Sequence, residues 1–217
     1  MKDKIIDFFS NMISVILGIV ITFAVQGKID RIHESKEVAS ALDLVRTELL
    51  ANIEDINVMS DYLRQEKKAA DFFLDNRFSL KKCPEDSISY NGNLLFADAA
   101  ISVSSDALEL LKSSSLFQKI GDKDLSMKII RAYDTCGAIA SSMNRHLEDR
   151  NNRFDKAINN ETGKQLITGS NINIRKFISS PYGAYSVQWV ANQPDPSQYV
   201  DISDINAAIE AINSHTH

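Results

Sequence analysis

Between Gly27 and about Phe73 the chain has no proline and no further glycine, and its apolar residues keep one register. Leu42, Val45, Leu49, Ile56, Met59, Leu63, Ala70 and Phe73 occupy the a and d positions of a single heptad frame, with Asn52 also at d. Glu34, Lys36, Glu37, Asp43, Arg46, Glu48, Glu54 and Asp55 fill the other faces. This period, uninterrupted by helix breakers, predicts one long amphipathic helix. Ile53 widens the stripe, which favours packing in a bundle over a strict two-stranded seam. Asn52 reads either as a register-setting residue in an oligomer or as a solvated boundary residue.

The strongest hydrophobicity precedes this helix. Phe8 to Val25 is 18 residues without a formal charge, flanked by Lys2 and Lys4 on one side and Lys28 and Arg31 on the other. As a helix it would be about 27 Å long, close to the roughly 30 Å hydrocarbon core of a bilayer. The expectation is a single membrane span, with residues 1–27 as an N-terminal anchor and 28–217 as a helical-bundle domain. A cleaved signal peptide, a buried core helix and an amphipathic surface helix are the competing readings. Ser10, Ser14, Gly18 and Thr22 are spaced by four, so they share one helix face where small residues would let two helices pack closely in lipid. The expected location is the bacterial inner membrane. Lys/Arg counts on the two sides nearly tie, so the side of the domain is undetermined: a signal-anchor with an exported domain and a tether for a cytoplasmic domain both fit, with a lean to the extracytoplasmic side.

Turn-forming residues concentrate in 76–93 and again in 160–202. Asp106-Ala107-Leu108-Glu109 reads as a helix start with Asp106 as cap. Leu108, Leu110 and Leu111 form its buried face, and Gly121 stops the short helical turn that follows. Asp122 or Asp124 caps another long helix, whose Ile129, Tyr133, Cys136, Ala140, Met143, Leu147 and Phe154 again recur by three and four. That stripe predicts the antiparallel partner of the first long helix. Ile172 to Ile178 fits a strand or a helix, and a last helix starts near Ser203. The fold class is therefore mostly α: a transmembrane helix running into a long amphipathic helix packed in a bundle.

Two segments carry a resemblance. One is the apolar run from Ile13 to Ile21 leading to Glu48-Leu49-Leu50-Ala51-Asn52. The other is Ala107-Leu108-Glu109-Leu110-Leu111-Lys112-Ser113-Ser114, then Ile120-Gly121-Asp122-Lys123-Asp124-Leu125 and Tyr133. Together they resemble a group of uncharacterised bacterial single-pass membrane proteins with an A-L-E-x-L-K-S-S, I-x-D-x-x-L and Tyr pattern. Where that family usually has Gly after the paired serines, this chain has Ser115. The resemblance implies an architecture and no activity.

Local catalytic motifs are absent from the sequence: there is no H-E-x-x-H, no paired Cys-x-x-Cys, no phosphate loop and no G-x-G-x-x-G. No catalytic, cofactor or metal residues are assigned. His146, in Arg145-His146-Leu147-Glu148-Asp149-Arg150, reads as part of a solvated helix end. Arg145, Arg150 and Arg153 read as a basic patch diluted by carboxylates. The net charge of −5 argues against a nucleic-acid partner. Tyr182, Tyr185 and Trp189, the only tryptophan, form a candidate contact surface in an aromatic-rich loop; the competing reading is a lid with Trp189 plugging the core. Cys83 and Cys136 are expected as free thiols. The functional expectation is a membrane-anchored, non-enzymatic scaffold or sensor, with the lipid bilayer and a second copy of the chain as partners; a membrane-tethered enzyme is the alternative.

Overall fold

The computed structural model describes residues 2–160, 167–168 and 171–216. Side chains are described from Lys28 onward within these segments, except 167–172, and before that at Leu17, Val20, Thr22, Phe23, Val25 and Gln26. The expected bundle is present. Helix α1 runs from Lys2–Asp75 without a break, about 110 Å at 1.5 Å per residue. Its second half carries the heptad stripe: Leu42, Val45, Leu49, Ile56 and Phe73 are fully buried, while most of the intervening charges face outward and Glu66 is buried with the stripe. α2 (Glu85–Phe96) turns back along α1, and residues 97–105 continue the return as extended chain. α3 (Asp106–Ser113) and α4 (Leu116–Lys119) complete it. α5 (Lys123–Asn159) is the second long helix, started by Asp122, whose Oδ1 accepts from the amides of Asp124 and Leu125. A two-strand ribbon, β1 (Ile167–Thr168) with β2 (Asn171–Ile172), pairs antiparallel. α6 (Ile174–Ser179), α7 (Pro181–Ala191) and α8 (Ser203–Thr216) follow.

The long helices run parallel, contrary to the antiparallel pairing expected. Glu48 of α1 meets Tyr133 of α5, and eighteen residues on Glu66 meets Arg150. The physical reason is the return path: α2, the extended segment, α3 and α4 carry the chain back to the start before α5 begins. A 3.6-residue period states which face is buried but not which way its partner runs.

The extended return segment explains the polar residues in the core. Its backbone belongs to no sheet or helix, so its N–H and C=O groups need other partners. Asn52 accepts from the Ser104 amide and donates to the Ser104 carbonyl, both at 2.9 Å. Asn144 does the same for Ile101, at 3.0 and 2.8 Å. Asn52 is thus neither solvated nor a mark of oligomer register; it is buried and replaces a missing strand. Glu48 accepts from the Ser104 hydroxyl, the Tyr133 hydroxyl and the amide of Ala107. That last bond caps α3 from another helix. Asp106, expected as the cap, is instead the first residue of α3, and its predecessor Ser105 makes no side-chain cap bond.

Burial alone would raise the Glu48 pKa, but the bonds from Ser104, Tyr133, Ala107 and Asp106 hold it below the usual carboxylate value. The same burial, together with the Glu48 bond, pushes the Tyr133 hydroxyl up. A carboxylate held low when folded contributes stability that is present above its unfolded pKa. That contribution disappears as the pH falls through the folded value. Acid unfolding of the wild type should therefore steepen below the ordinary carboxylate range, and Glu48→Gln should flatten that dependence. Urea midpoints measured across acidic pH check this.

Two apolar cores lie along α1 and α5. One joins α1 (Val38 to Leu63), α3, α5 (Leu125 to Leu147) and α8; Cys136 lies within it, and burial pushes its thiol up to about 11. The other joins Ala69, Ala70 and Phe73 of α1 with α2, Phe154, α6 and α7. Phe96, Phe154 and Phe177 meet there with ring centroids 5.0–5.3 Å apart. Both cysteines are free.

The membrane span is not supported. Among the described residues, no helix is long and apolar enough to cross a membrane. The side chains of most of Phe8 to Val25 lie outside the described residues. The transmembrane fold element, the lipid bilayer as partner, the inner-membrane location and the membrane-anchored function are withdrawn with the span. Of the small-residue face, Thr22 is exposed; the side chains of Ser10, Ser14 and Gly18 lie outside the described residues.

Candidate functional site

The tyrosines and tryptophan that sequence placed in a loop sit on a helix. Pro181 opens α7 with its φ already helical and no amide to satisfy. Ser180 caps it, accepting from the Gly183 amide at 3.0 Å. Val187, Val190 and Ala191 belong to the second core, so Tyr182, Tyr185 and Trp189, spaced by three and four, share the outer flank, where Trp189 packs against the edge of that core. Tyr182 is 56% and Tyr185 67% exposed, whereas Trp189 is half-buried. The last turn of α7 is fixed by Lys67, whose ammonium donates to the carbonyls of Ala191 and Gln193, where a cation complements the helix dipole.

Beneath Trp189 is a charged network between the two cores. Glu66 and Arg150 are both fully buried and meet at 2.5 Å. All five N–H groups of Arg150 are used: Nε and Nη2 donate to Asn151 Oδ1, Nη1 to Tyr62 and Glu66, and Nη2 also to the Ala97 carbonyl. Burial alone would lower the Arg150 pKa, but the Glu66 charge and the Tyr62 bond hold it above its usual value. His146 Nε2 lies 2.9 Å from the other Glu66 oxygen. A carboxylate paired with arginine only accepts, so His146 Nε2 carries the proton and donates. The imidazole stacks on the Trp189 indole with centroids 5.3 Å apart and planes 22° from parallel. The Arg153 guanidinium lies 4.7 Å from the Trp189 ring centroid, in cation–π range.

The three arginines expected as one basic patch are therefore separated. Arg145 is exposed, Arg150 points into the interior, and Arg153 lies against the indole. His146 is not a solvated helix-end residue. Sequence could have flagged both buried charges: Glu66 falls on the heptad d position after Met59, and Arg150 falls between Leu147 and Phe154 on the stripe of α5. Two unlike charges at core positions of two partner helices are the signal.

Among the described residues, Arg153 has no carboxylate within 4.0 Å, and no cluster of three or more His, Cys, Asp or Glu is placed to hold a metal. Cavities of about 330 and 460 Å³ adjoin α4, but the ammonium at their shared rim, Lys119, is already paired with Glu34 at 3.0 Å. No family model, curated protein or solved structure matches this chain. The resemblance to the single-pass membrane family is accordingly withdrawn, and its motif has a local explanation. Leu108 and Leu111 are the buried face of α3, Asp122 caps α5, and Tyr133 donates to Glu48. Ser115 adopts φ 62°, the left-handed turn that glycine usually supplies.

Proposed function

We propose that the chain is a helical protein-binding module whose α5–α7 face docks an acidic segment of a partner protein. The observation that carries this is Arg153: a guanidinium held against Trp189 with no carboxylate within 4.0 Å among the described residues. An arginine oriented in advance loses less entropy when it meets a carboxylate than a free one does. The two exposed tyrosines beside it add rigid, amphipathic area, and Tyr, Trp and Arg are the residue types that dominate binding energy at interfaces. The chain's net charge of −5 repels polyanions in general, which confines the attraction to this face.

Trp189 is the only tryptophan, so its emission reports on this face alone. Titration with a short oligo-glutamate peptide should change that emission saturably, and oligo-lysine should not. Arg153→Ala should weaken binding about tenfold or more, the size of an interface arginine. Added salt should weaken binding further, because the pair is partly solvated. Emission indifferent to oligo-glutamate, or equal affinity in Arg153→Ala, would overturn the reading.

A further inference from the structure

Proteins rarely bury an ion pair for stability alone, because desolvation consumes much of the Coulombic gain. The Glu66–Arg150 pair has an additional consequence at the surface. Arg150 occupies one Glu66 oxygen and fixes the carboxylate, while the second oxygen is left to His146. The imidazole is thereby held in one tautomer and one plane. Trp189 lies on that plane, and Arg153 lies on Trp189. The indole also packs against the edge of the second core, but His146 supplies its stacked face, and Gln193 bonds the Trp189 carbonyl, not its ring.

We infer that His146 is the positioning residue of the contact face. Its Nε2–H is oriented by buried Glu66, its ring orients Trp189, and through Trp189 it sets where Arg153 presents its charge. The inference concerns how the face is built and rests on the docking reading only for its effect on binding. His146 itself touches no ligand.

Two substitutions separate the donor from the ring. His146→Gln keeps an N–H donor for Glu66 and removes the stacking plane. His146→Phe keeps the plane and removes the donor. Circular dichroism and thermal melts establish that each variant folds. Without any peptide, His146→Gln should shift Trp189 emission to longer wavelength and raise its quenching by acrylamide, whereas His146→Phe, which keeps the stacking plane but loses the Glu66 bond that fixes it, should change both less. With oligo-glutamate, His146→Gln should bind about threefold to tenfold more weakly, the worth of one aromatic pair, and His146→Phe should fall between His146→Gln and wild type. Unchanged emission and quenching in His146→Gln would overturn the inference, as would equal shifts in both variants. Failure of the wild type to bind oligo-glutamate, with the emission pattern as expected, would overturn the docking reading and leave the positioning role standing.

Discussion

Arg150→Ala is expected to cost about 3–5 kcal/mol of folding stability, because it leaves the Glu66 carboxylate buried without its cation. At this chain length that lowers the thermal midpoint by on the order of 10 °C. The loss extends beyond one ion pair. Tyr62, Asn151 and the Ala97 carbonyl each lose a bond to Arg150, and Ala97 begins the extended return segment. Both apolar cores abut this layer, so neither relaxes independently of it. Glu66→Gln in the Arg150→Ala background removes the stranded charge and should restore part of the loss. A double-mutant cycle by urea unfolding measures this; additive losses would mean that the two groups do not act as a pair.

Gly183→Ala is the second large effect, and its sign follows from two opposed terms. Alanine is favoured over glycine by at most about 1 kcal/mol in a helix, and by less in the first turn, where Gly183 sits. Against this, a Cβ at Gly183 would sit 2.0 Å from the carbonyl oxygen of Phe177 and 2.8 Å from its carbon, both backbone atoms of α6 that cannot swing aside. Overpacking of this kind costs about 3 kcal/mol or more, so the substitution should destabilise and should push α7 off α6. Gly92→Ala is the control. Its Cβ meets the Cδ1 tip of the Ile174 side chain at 2.1 Å, and that tip can rotate away. Thermal melts should rank Gly183→Ala well below Gly92→Ala, and only the former should disturb Trp189 emission. Equal melting of the two would place the close approach elsewhere.

What was readable in the sequence is what periodicity encodes. The stripes of α1 and α5 identify their buried faces residue by residue, and Asp122 marks the start of α5 through a cap that is local in sequence. The direction of the helix pairing was not readable, since it depends on a return path through residues 76–122. Asn52 resisted interpretation for a related reason: its partner, the Ser104 backbone, is 52 positions away and belongs to no regular element. The cap of α3 is likewise supplied by distant Glu48, so the local Asp106 signal misled. Tyr182, Tyr185 and Trp189 were found because aromatic residues cluster there. Their organisation was missed because it is made by His146 and Arg153, each surrounded in sequence by charges that suggested plain solvent exposure.

The docking face is tested most directly by following backbone amide resonances of the whole chain while oligo-glutamate is added. The account predicts shifts concentrated in Arg145–Lys156 of α5 and Tyr182–Asn192 around α7, saturating together with Trp189 emission and needing correspondingly more peptide in Arg153→Ala. Shifts concentrated around α4, or none at concentrations where the peptide is in large excess, would contradict it.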